Sequence, residues 1–146
     1  MMKIIIGSDH AAFEAKEILK KFLQKNFEVE DVGTHSSERA NYPSFATELC
    51  QKVVKQECKG ILLCGSGIGM SMAANRYKGI RAALCRTEED AQLSRAHNNS
   101  NVLCLGARIN SDEELEKITQ AWLEADFEGD RHSQRIAMFD QLGEDL

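Results

Sequence analysis

Residues 61–64 form a continuous apolar run, Ile-Leu-Leu-Cys, that passes directly into the glycine-rich segment Gly65-Ser66-Gly67-Ile68-Gly69. An apolar run of this length without polar alternation is typical of a strand that is buried on both faces, as in a parallel sheet covered by helices. The small residues from 70 to 77 predict a helix directly after the loop. The segment therefore predicts a strand, a tight glycine turn and a helix, which is the repeating unit of α/β folds.

Further strand-like segments alternate with helical patterns along the chain. The predicted strands cover residues 3–7, 28–32, 61–64, 80–84 and 101–105, and apolar stripes at helical spacing lie between them. Pro43 suits the first turn of one helix, and Ser111 with Glu114 has the spacing of a capping box at another. A last helix is predicted over residues 133–142. Right-handed crossovers place such helices on both faces of a parallel sheet.

This alternation predicts the fold class. We expect a three-layer, doubly wound α/β fold of Rossmann-like or flavodoxin-like type, with a five-stranded parallel sheet in the order 2-1-3-4-5 and a C-terminal helix. The chain has 146 residues, of which 42% are hydrophobic. A chain of this size and composition can bury one compact core, so we expect residues 1–146 to form a single domain.

Charge and cysteine content exclude several classes of function. The 18 Lys and Arg residues are outnumbered by 23 Asp and Glu residues. Nucleic acids and anionic membranes are generally bound by basic surfaces, so we expect neither as a partner. The five cysteines have no disulfide-framework or zinc-ligand spacing, which favours free thiols in a reducing cytoplasm. The apolar N-terminal run is too short for a signal peptide or a transmembrane helix.

The predicted strand order brings two polar loops together. Ligands in such sheets bind beyond the carboxyl ends of the strands where the order reverses, which here lies between the first and third strands. Asp9 and His10 follow the first strand, and Cys64 with the glycine loop follows the third. The loop amides can bind an oxyanion, or the loop can be a tight turn without a ligand. Its position at the reversal favours binding.

Cys64 and the Asp9–His10 pair are the candidates for acid–base chemistry. Amide groups at the start of a helix favour a thiolate, so Cys64 can serve as a base or a nucleophile. The alternative is that Cys64 only fills space as a small apolar side chain. We prefer that interpretation for the other four cysteines. Asp9 and His10 can transfer protons, or they can cap the first helix and lie exposed. The glycine loop does not match two familiar phosphate-binding motifs. Ser66 stands where a P-loop has lysine, and Met70 stands where a cysteine-dependent phosphatase has arginine, so we expect neither function.

Two more polar clusters lie farther along the chain. Residues 97–101 read His-Asn-Asn-Ser-Asn, and Arg131 and Arg135 are four residues apart, a spacing that can clamp a phosphate on one helical face. The alternative for residues 97–101 is a plain turn, and the alternative for the two arginines is a solvent-exposed helical face. The helix before His97 runs toward the amino ends of the strands, away from Cys64. We therefore expect a two-fold dimer in which His97, Arg131 and Arg135 complete the partner's crevice.

These segments together resemble the ribose-5-phosphate isomerase type B family, which also includes the galactose-6-phosphate isomerase subunits. The resemblance covers nearly the whole chain. The segments that carry it are Gly7-Ser8-Asp9-His10-Ala11, Gly33-Thr34 with Tyr42-Pro43, Cys64-Gly65-Ser66-Gly67-Ile68-Gly69, Ala73-Ala74-Asn75, Gly79-Ile80-Arg81-Ala82, His97-Asn98-Asn99-Ser100-Asn101, Gly106-Ala107-Arg108 and Gly129-Asp130-Arg131-His132 followed by Arg135.

The resemblance implies an aldose–ketose isomerase that needs no metal and no cofactor. Its substrate pair would be ribose 5-phosphate and ribulose 5-phosphate, the pair of the non-oxidative pentose phosphate pathway, with a proton moved between C1 and C2 through an enediolate. Cys64 would be the base, and His97 with Asp9 would assist ring opening. The remaining expected substrate contacts are Gly65, Ser66, Gly67, Ile68 and Gly69 at the enediolate oxygen, His10, Arg131 and Arg135 at the phosphate, and Asn98 and Arg108.

Two departures from the family pattern concern specificity. Asn41 stands where the family often has Asp, and Ser66 stands where some members have Thr, which keeps the hydroxyl. The alternatives that the residues leave open are a hexose 6-phosphate isomerase acting on allose or galactose phosphates, and a non-catalytic sugar-phosphate-binding module. A homodimer or a dimer of dimers with shared sites is the expected assembly.

Overall fold

The computed structural model describes residues 1–146 and contains one five-stranded sheet in which every strand pairs in parallel with its neighbours. The strands are β1 (Lys3–Ser8), β2 (Glu28–Asp31), β3 (Lys59–Cys64), β4 (Ala82–Leu84) and β5 (Val102–Gly106). The helices are α1 (Phe13–Gln24), α2 (Tyr42–Gln56), α3 (Ile68–Ala74), α4 (Glu88–Ala96), α5 (Asp112–Glu124) and α6 (Arg131–Ala137). Short 3₁₀ turns precede α1 and follow α6.

The predicted fold class is confirmed, but the predicted order of the last two strands is wrong. The sheet runs β2-β1-β3-β5-β4, so β5 lies inside and β4 lies at the edge. All five residues of β5 are buried, whereas the three residues of β4 are only partly buried. The complete burial of β5 follows from its central place, where helices cover the sheet on both faces. The reversal between β1 and β3, which positions the crevice, is as predicted.

Some element boundaries also differ from the prediction. The fourth strand begins at Ala82 rather than at residue 80, because the Arg81 amide is bound by the side chain of Asn101. The last helix begins at Arg131, two residues earlier than expected, and passes into a 3₁₀ turn after Ala137. The Ser111 capping box at α5 and the position of Pro43 in the first turn of α2 are confirmed.

Two hydrophobic cores lie on opposite faces of the sheet. One core joins α1, α4 and α5 to alternate strand residues such as Ile4, Leu63 and Leu103, with Trp122 fully buried in it. The other joins α2 and α3 to the intervening strand residues, including Cys64. Burial on both faces explains the continuous apolar runs in the sequence. No helix combines the length and the apolar character needed to span a lipid bilayer.

Candidate active site

The loops after β1 and β3 lie side by side at the carboxyl edge of the sheet. Ser8 is paired with Leu63 in the parallel ladder, and the Asp9 amide donates a hydrogen bond to the Leu63 carbonyl at 3.2 Å. A cavity of about 640 Å³ opens above this edge. Its lining comes from the two loops, from the starts of α2 and α3, and from the segment after β5: Asp9, His10, Ala11, Tyr42, Cys64, Gly65, Ser66, Ile68, Gly69, Met72, Arg108 and Ile109.

The glycine loop surrounds the sulfur of Cys64 with amide groups. The Gly67 amide donates a hydrogen bond to Cys64 Sγ at 3.1 Å, a contact that stabilises negative charge on the sulfur. The Ile68 amide donates to Ser66 Oγ at 3.2 Å. The amides of Gly65 and Ser66 donate to no other atom of the chain. The loop therefore offers donors for an oxyanion directly beside the thiol.

Gly67 is the position where the loop requires glycine. Its φ is +79°, and a Cβ atom there would lie 2.7 Å from Leu84 Cδ1 and 2.9 Å from the Leu105 carbonyl oxygen. The Leu84 side chain of β4 and the Leu105 backbone of β5 therefore lie directly against the loop. Because no side chain fits, the Gly67 amide stays in place to face Cys64.

Asp9 and His10 are held in fixed orientations. Asp9 is almost fully buried, and its side chain accepts a hydrogen bond from the Ala12 amide at 3.2 Å, so it caps the 3₁₀ turn in addition to lining the cavity. The Ala40 amide donates to His10 Nδ1 at 3.1 Å. The Ala40 carbonyl oxygen lies 3.3 Å from the same nitrogen, so the backbone of one residue holds the imidazole ring in place.

A buried ion pair anchors the neighbouring loop. Lys16 is fully buried, and its ammonium group binds both carboxylate oxygens of Asp31, at 2.8 and 2.6 Å, and the Thr34 carbonyl at 2.6 Å. Burial opposes ionisation of Asp31, but hydrogen bonds from Lys16, Lys20 and the Gly33 amide outweigh it and lower the pKa of the carboxyl. The Thr34 amide in turn binds the Ser8 carbonyl, which connects this pair to the Asp9 loop.

The cavity also contains side chains that the sequence prediction did not assign to the site. Tyr42 packs against Gly69, where a Cβ atom would lie 2.7 Å from the tyrosine ring. Met72 and Ile109 line the cavity and are exposed to solvent. The Tyr42-Pro43 dipeptide was the only signal available for these residues, because Met72 and Ile109 are unremarkable in sequence. The Arg108 guanidinium lies against Gly65 and lines the cavity, and its role as a substrate contact stays a prediction.

The remaining predicted site residues do not reach this cavity within one chain. His97 ends α4 at the opposite, amino edge of the sheet, where its ring stacks on His132 with centroids 4.4 Å apart. Asn98 borders a different cavity, beside Ser100 and Phe139. Arg131 and Arg135 both belong to α6. The structure thus divides the predicted site into a group around Cys64 and a group around His97.

His97, Glu128 and His132 are the group of side chains with atoms close enough to share a metal ion, all lying within 4.8 Å of one another. The two imidazole rings, however, are within 17° of parallel. Ring nitrogens bind metals through lone pairs in the ring plane, so two nearly parallel rings do not point at one ion. The arrangement does not fit a resident metal.

The other four cysteines lie in the hydrophobic cores or at their margins. Burial raises the pKa of Cys50 to about 12 and that of Cys85 to about 11, and it raises the pKa of Cys58 and Cys104 as well. These thiols stay neutral and act as small apolar side chains. Cys64 is the one cysteine that lines the cavity at the carboxyl edge.

A second cavity of about 640 Å³ lies at the amino edge of the sheet, lined by Lys3, Cys58, Arg81 and Arg95 among others. Its volume equals that of the first cavity, so volume alone does not identify the site. Chemistry does, because only the cavity at the carboxyl edge combines a thiol, a carboxylate, an imidazole and unpaired loop amides. That set can remove a proton from carbon and stabilise the resulting oxyanion.

Comparison with known proteins places the chain within one family. The sequence profile of the family described as Ribose/Galactose Isomerase matches residues 4–139. The chain is 46% identical over 138 residues to ribose-5-phosphate isomerase B of Escherichia coli strain K12, with 93% of each chain covered. It is 45% identical over 137 residues to a probable ribose-5-phosphate isomerase B of Mycoplasma genitalium, covering 91% of this chain and 90% of that one.

Solved structures give the same result. A ribose 5-phosphate isomerase from Thermotoga maritima superposes with a TM-score of 0.94 at 49% identity, covering 97% of this chain and 99% of that one. The Mycoplasma genitalium ribose-5-phosphate isomerase B, solved with bound ribulose-5-phosphate, superposes with a TM-score of 0.92 at 42% identity, covering 96% and 95% of the two chains.

Proposed function

The chain belongs to the Ribose/Galactose Isomerase family, and on that premise we propose that it interconverts D-ribose 5-phosphate and D-ribulose 5-phosphate. The observation that carries the proposal is the contact between the Gly67 amide and Cys64 Sγ, at the floor of a cavity that also holds Asp9 and free loop amides. The relative that binds ribulose-5-phosphate supports the pentose as substrate.

Cys64 is the proposed base. In the open-chain aldose, its thiolate takes the proton from C2, and the electron pair moves toward the carbonyl to give an enediolate with negative charge on O1. The hydroxyl proton passes from O2 to O1, and Cys64 returns its proton to C1, which yields the ketose. One group can serve both carbons because they are adjacent.

The glycine loop is the proposed oxyanion site. The amides of Gly65 and Ser66 are available as donors, and Gly67, Ile68 and Gly69 with the Ser66 hydroxyl complete the loop. Donors fixed in advance stabilise charge that develops in the transition state without reorganisation at that moment. Arg108 beside Gly65 adds positive charge at the mouth of the cavity.

A two-fold dimer supplies the rest of the proposed site. His97 and Asp9 would open the furanose ring, and His10, Arg131 and Arg135 would bind the phosphate, with Asn98 as a further contact. The separation of the His97 group from Cys64 within one chain supports a site shared between subunits. Exposed apolar side chains beside the cavity, including Met72 and Ile109, are suited to burial in such an interface.

Three further proposals concern the domain organisation, the assembly and the location of the protein. Residues 1–146 act as a single domain, since the family profile spans residues 4–139. The dimer can pair further into a dimer of dimers. The location is cytoplasmic, which five unpaired cysteines support.

A direct assay tests the proposed function. Formation of ribulose 5-phosphate from ribose 5-phosphate is followed without coupling enzymes, beside allose 6-phosphate and galactose 6-phosphate, with a chelator present. We expect fast turnover of the pentose that the chelator does not reduce. Preference for a hexose phosphate would keep the mechanism and change the substrate, and binding without turnover of any of them would identify a binding module.

A further inference from the structure

Glu128 lies between two histidines. One of its carboxylate oxygens is 3.9 Å from His97 Nε2, and the other is 3.9 Å from His132 Nε2. The two rings are stacked, so both present the same nitrogen to one carboxylate. Glu128 is the only carboxylate within ion-pair distance of either ring.

The backbone holds Glu128 in this place. Its amide donates a hydrogen bond to the Ala96 carbonyl at 3.0 Å, which fixes it directly beside His97. Gly129 and Asp130 then take left-handed φ values of +72° and +47°, and the His132 amide donates to the Gly129 carbonyl at 2.9 Å. This reversal of the chain brings His132 back over His97. Left-handed φ at a residue other than glycine is uncommon and marks a conformation that its surroundings impose.

The surrounding charges give the carboxylate a specific effect. His132 is 8% exposed, and its Nε2 atom has no hydrogen-bond partner. Burial, the neighbouring His97 ring and the guanidinium groups of Arg131 and Arg135 lower the pKa of His132, and Glu128 opposes them. His132 is therefore neutral at neutral pH. A positive charge on His132 is opposed by both arginines and favoured by Glu128.

We infer that Glu128 is a positioning residue for His97, which orients the imidazole ring and stabilises its protonated form during ring opening. The inference rests on the proposed isomerase function. When the His97 ring is protonated, closing the 3.9 Å separation by about 1 Å makes an N–H···O hydrogen bond from Nε2 to the carboxylate. Nδ1 is then the ring nitrogen that remains for the substrate. A carboxylate has this role toward a catalytic histidine in other active sites.

The ring-opening step balances with these groups. Protonated His97 donates its Nδ1 proton to the ring oxygen as the bond between C1 and that oxygen breaks. Asp9 of the facing subunit accepts the proton of the C1 hydroxyl, and the C1 carbonyl forms. Glu128 takes no proton in this step, so its effect is limited to the orientation and charge of His97.

A substrate that cannot form a ring separates this role from a merely structural one. The 4-deoxy analogue of ribose 5-phosphate lacks the hydroxyl that closes the furanose, so it needs no ring opening. We expect Glu128→Gln to lower kcat for ribose 5-phosphate about 10-fold or more, as part of the roughly 10²–10⁴ that acid–base catalysis contributes. The same variant should turn over the 4-deoxy analogue within about 2-fold of the native rate, since C2 deprotonation is untouched. Equal losses on both substrates, or no loss on either, would overturn the inference.

Two further measurements complete the test. Glu113→Gln makes the same change in an exposed ion pair on α5 and should leave both rates unaltered. NMR of the His97 ring nitrogens in the native dimer and in Glu128→Gln should show an Nε2 signal whose chemical shift changes in the variant, because its carboxylate neighbour is replaced, and an unchanged signal would contradict the inference. This measurement needs no turnover, so it stays decisive if the native protein isomerises no sugar phosphate, an outcome that would instead reject the proposed function.

Discussion

Cys64 differs from the other four cysteines in what surrounds its sulfur. Its Sγ accepts the Gly67 amide hydrogen bond, whereas Cys50, Cys85 and Cys104 lie among apolar side chains that favour the neutral thiol. One residue type therefore has two roles in this chain, and the local backbone decides which. The same principle applies to Asp31, which stays ionised because two lysines and an amide bind it.

Replacing Cys64 tests its role as the base. We expect Cys64→Ala to reduce turnover of ribose 5-phosphate by about 10²-fold or more, because the substitution removes the group proposed to carry the proton between C2 and C1. The melting temperature and the affinity for the sugar phosphate should change little, since the side chain is small. Cys50→Ala, a buried thiol away from the cavity, is the matched control. A Cys64→Ala protein with a nearly native rate would remove this residue from the mechanism.

Asp31 gives a prediction about stability and pH. Asp31→Asn removes the closest counterion of the buried Lys16 ammonium and leaves only the Glu17 carboxylate at 3.3 Å, and breaking a buried pair costs up to about 3–5 kcal/mol in free energy of unfolding. The folded-state pKa of Asp31 is lowered, so its contribution is complete above the unfolded-state pKa of about 4 and is lost as the pH falls through the folded-state value. Urea unfolding at pH 7 and at acidic pH should show a loss that shrinks toward low pH.

The neighbouring carboxylate provides the comparison for that experiment. Glu30 pairs with Lys3 and Lys52 at 3.3 Å on a more exposed surface, where ion pairs contribute about 0–1 kcal/mol. Glu30→Gln should therefore shift the urea midpoint only slightly. Equal effects of the two substitutions would contradict the importance we assign to the Lys16–Asp31 pair.

The strand-to-helix element after β3 depends on a glycine at one position. Gly67→Ala would place a Cβ atom within 3 Å of Leu84 and of the Leu105 carbonyl, at a φ that alanine rarely adopts. The loop must shift, which moves the amide away from Cys64. The shift also displaces the adjacent Gly65 and Ser66 amides, the proposed oxyanion donors, and removing one such donor typically costs about 10²–10³ in rate, so we expect kcat to fall by that order.

Replacing a second glycine, Gly79, tests whether backbone strain alone can cause the loss of activity expected for Gly67→Ala. Gly79 also has a positive φ, +85°, but its nearest contact for an added Cβ is an ordinary 3.4 Å to Val54. Gly79→Ala should lower the melting temperature through strain while kcat stays near native. If the two variants lost activity in parallel, the Gly67 effect would reflect general destabilisation rather than the amide geometry.

At the scale of the whole molecule, the proposed site exists only when two chains meet. In a shared site, Cys64 of one subunit works with His97 of the other, so a mixed dimer of Cys64→Ala and His97→Ala chains contains one fully native site. Random pairing of the two variants should restore about a quarter of the native specific activity, although each alone is inactive. Co-expression with two affinity tags separates the mixed dimer from both homodimers, and this purified dimer, with one native site of two, should have about half of the native specific activity. No recovery in the mixed dimer would rule out the shared site.

Much of the fold was predictable because its signals are local. Continuous apolar runs mark strands buried on both faces, and the Ser111–Glu114 capping box marks the start of α5. The crevice could also be predicted, since it depends on the reversal between β1 and β3 rather than on the order of the outer strands. The exchanged positions of β4 and β5 were not predictable from hydrophobicity alone, because both segments are apolar and their pairing partners are distant in sequence.

The sequence by itself determined the α/β class, the glycine loop next to Cys64 and the family. Each of these depends on the identity and spacing of neighbouring residues, which determine backbone conformation locally. Only the tertiary structure decided that Asp9 and Cys64 share one cavity with Tyr42, that His97 stands apart from it, and that Glu128 meets His97 and His132. These contacts join residues that are dozens of positions apart in the sequence. Burial, strand pairing and chain reversal bring them together, and no local sequence pattern encodes them.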